Sequence, residues 1–280
     1  MVRLRRKLPI AVTYLVALGF AALFLLPLAW IVVTALKPSA EIYTGDVHFL
    51  PRHPTLVNFV DVAQSLPQFP SYLWNSLVVT VASVTGVVVT SATAAYPLAR
   101  MRFLGQRLVL GIVLLAVAVP FALYLIPVYL VLSQMGLLNT IPGLVLPYIA
   151  LNLPLAIILM RGAYRGIPVE LEEVARVDGA STLRVWWHIA LPLAGPGIAT
   201  VVILTFVAVW GEFMFAVTLF SSGGNTTFPV GITFIQEQGS AYAFGPLSAT
   251  IIIALVPALV MFLLLQRYFV RGLLEGALKG

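Results

Sequence analysis

LVLGIVLLAVAVPFALYLIPVYLVLSQMGLLNTIPGLVLPYIALNLPLAIILM, residues 108–160, runs for 53 residues without one charged side chain. A helix that crosses a bilayer needs about 20 apolar residues, so this run is too long for a single crossing. Its middle holds Ser133-Gln134-Met135-Gly136 and Asn139-Thr140-Ile141-Pro142-Gly143, residue types that favour a turn. The run therefore predicts two spans, near 108–132 and 143–161, joined by a tight connection.

Working outward, four more uncharged runs follow the same rule. Lys7 and Lys37 bound one, Asp61 and Arg100 a second, Arg184 and Glu212 a third, Glu237 and Arg267 a fourth. They predict spans near 10–35, 76–97, 196–220 and 246–266. The whole composition agrees: of 280 residues, 61% are hydrophobic and 9% charged, whereas soluble domains carry about a quarter charged residues. The fold class expected is all-α: one polytopic transmembrane domain, 1–280, with six spans. Such hydrophobicity excludes a disordered chain. The lack of cysteine excludes disulfides, thiolate metal sites and cysteine nucleophiles. Arg3, Arg5, Arg6 and Lys7 resemble the start of a signal peptide, but the apolar run after them exceeds the usual ~7–15 residues. It is read as an uncleaved first span.

The basic residues give an orientation. Fourteen of the 16 Lys and Arg fall in the N-terminal arm, the 98–107 connection, the 161–195 segment and the C-terminal tail; only Lys37 and Arg52 fall between the other spans. Positive charge is retained on the cytoplasmic side, so both termini and the two basic connections are expected there. Their scatter over four short segments argues against a nucleic-acid surface, which needs one continuous basic face.

The longest of these connections, 162–195, has its own pattern. Gly166-Ile167-Pro168 leads into Val169-Glu170-Leu171-Glu172-Glu173-Val174-Ala175-Arg176-Val177-Asp178-Gly179-Ala180. Pro168 suits the first helical position, and Glu170, Glu172 and Glu173 suit the positive end of the helix dipole. Leu171, Val174 and Ala175 share a face, and Gly179 supplies a left-handed stop. Ser181 can cap a second helix. In that helix Leu183, Trp186, Trp187, Ala190 and Leu191 form one apolar stripe, and Pro192 ends it. Two tryptophans on such a surface need cover; the headgroup zone and a docked partner both supply it.

These residues carry a resemblance. Glu173-Val174-Ala175, then Gly179, then Ile189, Leu191 and Pro192 are similar to the signature loop of ATP-binding-cassette importer permeases, with Val174 in place of the usual first alanine. Tyr72-Leu73-Trp74-Asn75-Ser76-Leu77, Ala94-Ala95-Tyr96-Pro97-Leu98-Ala99-Arg100-Met101-Arg102-Phe103, Ile126-Pro127-Val128-Tyr129 and Gly136-Leu137-Leu138-Asn139-Thr140 extend it to the carbohydrate-uptake members. Pro97 stands where alanine is commoner, and Trp210-Gly211-Glu212-Phe213 has glycine in place of asparagine. The tail from Gln266 to Gly280 resembles the shorter, six-helix member of the maltose-type pair.

The resemblance implies a non-catalytic permease subunit with an ATPase-coupling loop carried by Glu172, Glu173, Val174, Ala175, Asp178, Gly179, Ala180, Trp186, Leu191 and Pro192. It implies a second homologous permease, two copies of a cytoplasmic ATPase that bind ATP and magnesium, and an extracytoplasmic solute-binding protein. The cargo implied is a mono- or oligosaccharide, a polyol or a glycerol phosphate. Permeases for a polyamine or phosphate share such a loop. A secondary transporter is a more distant alternative that usually shows inverted repeats.

The chain carries no cofactor site of its own that the sequence reveals. Lys7, Lys37 and Lys279 are followed by Leu8, Pro38 and Gly280, so no G-x-x-x-x-G-K-[ST] phosphate loop is present. His48, His53 and His188 lack ligand partners at metal-binding spacing; the first two are read as solvated loop residues. Glu212 is the one acidic residue inside a predicted span, which makes it a candidate for the substrate path. It can meet a sugar hydroxyl or hold a broken helix end; a bland reading leaves it reaching water at the membrane boundary. Trp210, Asn152 and Tyr124 are further path candidates, with packing between helices as the bland alternative. Pro120, Pro127, Pro147, Pro154 and Pro257 are places where spans can kink.

Overall fold

A computed structural model describes residues 2–43, 48–220, 225–237 and 244–277, and among them there is no β-strand. In chain order the helices are α1 (Val2–Ala35), α2 (Ser39–Tyr43), α3 (Val57–Ser65), α4 (Phe69–Arg100), α5 (Gln106–Ala118) and α6 (Leu125–Gln134). Then come α7 (Ile141–Arg165), α8 (Val169–Val177), α9 (Thr182–Val185), α10 (Leu191–Leu193), α11 (Gly195–Trp210), α12 (Met214–Leu219), α13 (Phe228–Glu237) and α14 (Phe244–Ala277). A 3₁₀ turn at Phe121–Tyr124 leads into α6, and a π-turn at Trp186–Ala190 joins α9 to α10.

Four segments are long and apolar enough to cross a membrane unaided: Val12–Ala35, Phe69–Arg100, Ile141–Arg165 and Phe244–Gln266. They cover the spans expected at 76–97, 143–161 and 246–266, and that expected at 10–35 from residue 12 onward. The other two spans are not continuous. The one expected at 108–132 bends by 101° between Ala118 and Phe121. Pro120 lies in that gap and has no N–H to continue the ladder. The span expected at 196–220 is interrupted as well. Helix α11 is 16 residues, roughly 24 Å, and stops at Trp210; Gly211, Glu212 and Phe213 separate it from α12.

Two compact units are present: Met1–Phe69 with Gly231–Val256, and Pro70–Val230 with Pro257–Gly280. In the first, Asn58 of α3 is fully buried, and its amide donates to the carbonyls of Ala35 (2.8 Å) and Lys37 (2.7 Å). Lys37 is buried, donates to the His48 carbonyl and lies 5.1 Å from the centre of the Trp30 ring. The Glu41 carboxylate accepts the backbone N–H of Arg52 (3.1 Å) and His53 (3.0 Å). His48 and His53 are exposed, as the sequence suggests.

The core of the second unit lies between α4 and α7. Val87, Ala95, Tyr96 and Leu98 meet Ala156, Ile157, Met160 and Tyr164. Helix α11 joins this core through Gly197, where an added Cβ would overlap the side chain of Ala163. Thr140 starts α7 by accepting from the Gly143 N–H (3.1 Å), the side-chain cap that replaces a missing helical partner. The turn before it uses Gly136 and Asn139, both at positive φ, which matches the tight connection expected there.

Candidate functional site

The 162–195 segment folds as two short helical pieces. Helix α8 starts one residue later than expected, with Pro168 just before its first turn rather than in it. Its end follows the sequence closely. Gly179 has φ +82°, its N–H donates to the Arg176 carbonyl (3.0 Å), and the Ala180 N–H donates to the Ala175 carbonyl (3.0 Å). Together these satisfy two carbonyls that a helix end would otherwise leave open. Ser181 then accepts from the Arg184 N–H (3.4 Å) and starts α9.

The faces of α8 divide sharply. Leu171, Glu173, Val174, Val177 and Asp178 are exposed, Val177 most of all at 87%. Glu172 faces the opposite way and is buried, with a side chain 1% exposed. Its carboxylate accepts from the Tyr96 hydroxyl (2.9 Å), from Arg100 Nε (2.8 Å) and from Arg176 Nη2 (3.4 Å). Arg100 Nη2 also donates to the Ile167 carbonyl (2.6 Å). Glu172 thus ties α8 to the end of α4 from within the loop, while Glu173 beside it is exposed. Three donors on one buried carboxylate supply the pairing that a buried charge needs.

Beyond Ser181 the single apolar stripe does not form. The π-turn at Trp186–Ala190 inserts an extra residue per turn, so the 3.6-residue phase is lost. Ala190 is buried and Trp186 half-buried, whereas Leu183 and Trp187 are exposed. Trp186 donates its indole N–H to the Tyr164 hydroxyl (3.0 Å), which itself donates to the Ala92 carbonyl of α4 (3.0 Å). An apolar hollow of about 350 Å³ lies here, lined by Thr93, Tyr96, Met101, Thr182, Leu183 and Trp186. Pro192 stands one residue before the end of the helical stretch Thr182–Leu193, which turns by 69° into α11, as the sequence suggests.

The second site of interest is the break between α11 and α12. The Glu212 carboxylate accepts the N–H groups of Phe215 (2.9 and 3.1 Å) and Ala216 (3.2 Å), so it caps the start of α12. The Tyr148 hydroxyl of α7 donates to the same carboxylate at 2.5 Å. Phe215 packs on Phe121, ring centres 4.7 Å apart, which brings the two span breaks together.

Residues 82–275 match the family described as binding-protein-dependent transport system inner membrane component. The chain belongs to that family. The permease is 35% identical to the trehalose transport system permease protein SugB of Mycobacterium tuberculosis, over 99% of both chains. It is 32% identical to the trehalose/maltose transport system permease protein MalG of Thermococcus litoralis, over 94% of this chain and 95% of that one. Its fold matches that of a bacterial ABC transporter involved in the import of the acidic polysaccharide alginate. That match has a TM-score of 0.81 and 24% identity, over 95% of this chain and 98% of the other. The permease is therefore a multi-pass inner-membrane component of a transport system.

The remaining path candidates of the permease are not gathered at one point. Trp210 is buried, stacked on Phe206 (ring centres 5.6 Å apart, planes 8° from parallel) and against Phe228 at 4.9 Å. Tyr124 donates to the Ala116 carbonyl across the Pro120 bend (3.3 Å). Asn152 lies one turn from Tyr148, to whose carbonyl it donates (2.8 Å). With Thr205 and Leu204 it borders a small cavity of about 140 Å³. Tyr148 and Tyr164 are functional candidates that the sequence reading does not name. Tyr96 and Arg100 appear there only inside the Ala94–Phe103 motif, and Arg100 also as a charge that ends a span and helps set the orientation.

Proposed function

We propose that this chain is the membrane-spanning permease subunit of an ATP-driven importer that brings a sugar into the cytoplasm. It pairs with a second, homologous permease to enclose the path. Two copies of a separate ATPase, carrying ATP and magnesium, dock on the coupling loops, and an extracytoplasmic binding protein delivers the cargo. The observation that carries this reading is the outward face of α8, where Leu171, Val174 and Val177 stand exposed between Glu173 and Asp178. An apolar face of this kind on a short helix beside the membrane calls for a partner. The absence of a phosphate-binding loop from the sequence puts the energy source on another polypeptide. The sugar class is supported by what the relatives' names assign to them, trehalose and trehalose/maltose.

In this reading, ATP-driven closure of the ATPase pair moves α8, and the spans respond by opening to the other side. Glu173 and Gly179 act in the coupling, Glu173 through its exposed charge and Gly179 through the left-handed turn that ends α8. Glu173→Lys leaves the buried contacts of α8 untouched and reverses one charge on the docking face. Uptake of labelled trehalose or maltose in cells, with membrane insertion followed by immunoblot, tests it. Insertion at normal level with uptake lost is the expected result. Undiminished uptake by Glu173→Lys and by Gly179→Pro sinks the coupling role.

A further inference from the structure

Helix α8 packs against α9 and the π-turn, and a buried polar cluster ties it to α4. Arg100 forks between the Glu172 carboxylate at 2.8 Å and the Ile167 carbonyl at 2.6 Å, while Tyr96, one turn earlier on α4, donates to the other carboxylate oxygen at 2.9 Å. Arg100 and Glu172 side chains are 8% and 1% exposed. The face that carries Leu171, Val174 and Val177 is turned away from this cluster. From this geometry we infer that Glu172, with Arg100 and Tyr96, is a positioning group that locks α8 to α4, so that a displacement arriving at the docking face passes directly into that span.

An apolar contact lets two helices slide with little change in energy, because dispersion is non-directional. A buried carboxylate held by a forked guanidinium and a phenol does not, since any slip leaves charge without a partner in a low-dielectric setting. The second loop piece is tied to the same helix through Trp186, Tyr164 and Ala92. Helix α4 is itself unbroken over 32 residues, roughly 48 Å, whereas the spans built from α5 with α6 and from α11 with α12 are interrupted. Movement imposed at Arg100 is thus carried along the length of α4, and the breaks at Pro120 and Gly211 are where neighbouring spans can bend in response. The inference rests on the proposed role of α8 as the ATPase-docking helix.

The chain has no cysteine, so cysteines introduced for spin labels meet no background from this chain. Labels at Val89 of α4 and Val169 of α8, both exposed and outside the docking face, report the α4–α8 distance in the assembled transporter. The probe is ATP with magnesium, under conditions that prevent hydrolysis. A single narrow distance is expected both without nucleotide and with it. Glu172→Gln should lose that single peak, giving a broad or split distribution when the nucleotide is added. A narrow, unchanged peak in Glu172→Gln overturns the lock. If that variant does not assemble, Arg100→Lys keeps the charge but removes the fork; the same broadening supports the inference, and an unchanged peak overturns it. A merely structural role would lower the yield of assembled transporter and leave the peak single. A separate label at Val177 tests the docking reading: if it stays mobile when the ATPase is added, that reading falls, while the α4–α8 distance still judges the lock.

Discussion

Two glutamates that stand side by side are placed oppositely, Glu172 buried and Glu173 exposed, and residue types alone do not separate them. Glu172 and Glu173 both sit in the early turns of α8, where acidic side chains favour the helix dipole equally. Glu172 is distinguished by Arg100 and Tyr96, 72 and 76 residues upstream, and no local pattern announces a partner that distant. Glu212 is a different case. Its isolation in an apolar run marks it in the sequence, and its geometry answers one of the expectations, since it holds the start of α12 after the break at Gly211. Glu212→Ala leaves two backbone N–H groups and the Tyr148 hydroxyl without that acceptor, at a cost of about 1–3 kcal/mol. Tyr148→Phe removes one bond, worth about 1 kcal/mol. Thermal unfolding of the purified, assembled protein should therefore rank the two, with Glu212→Ala the less stable. Equal midpoints would show that the backbone bonds to this carboxylate contribute little.

At the scale of elements, the segments most legible in the sequence are those governed by local rules. Gly179, Ser181 and Thr140 form the stops and caps that their residue types require. The stripe through Leu183, Trp186 and Trp187 fails because a π-turn shifts the phase. Nothing in the residues themselves signals that turn, which is stabilised by what Trp186 reaches on α7. Prolines give an uneven guide to broken spans. Pro120 lies at a 101° bend, but Pro147 and Pro154 lie within the unbroken α7, as neighbouring helices can re-satisfy freed carbonyls. The contact between α7 and α11 depends on the small surface of Gly197 beside Ala163. Gly197→Val should force these helices apart, at about 1–3 kcal/mol for an overpacked site. A lowered unfolding midpoint checks this, and a midpoint equal to that of the parent protein would mean that the helices separate freely.

For the whole molecule, composition alone was enough to place the chain in a membrane, and the count of spans followed from run lengths. What run lengths miss is that a span is an axis as well as a quantity of apolar residues, which is why two of the six are bent or interrupted. Orientation rests on the 14 to 2 division of basic residues. A reporter fused at Gly179 should register as cytoplasmic and one fused at Asn139 as external; the reverse pattern overturns the map. Among the described residues of its own unit, none buries the best 18-residue window of Val12–Ala35 in helix α1.

The pairing of Arg100 with Glu172 also has a history in time. The two residues are 72 positions apart, and at about 5–20 residues per second the second is made roughly 4–14 seconds after the first. Throughout that interval Arg100 lacks its Glu172 partner, and by the positive-inside rule such a charge counts toward the side on which the end of a span is kept. Only when Glu172 emerges is the charge withdrawn from the count and buried. The same side chain is therefore expected to count first in orienting a span during synthesis and later to pair with Glu172, and a substitution at Arg100 is predicted to act on both occasions.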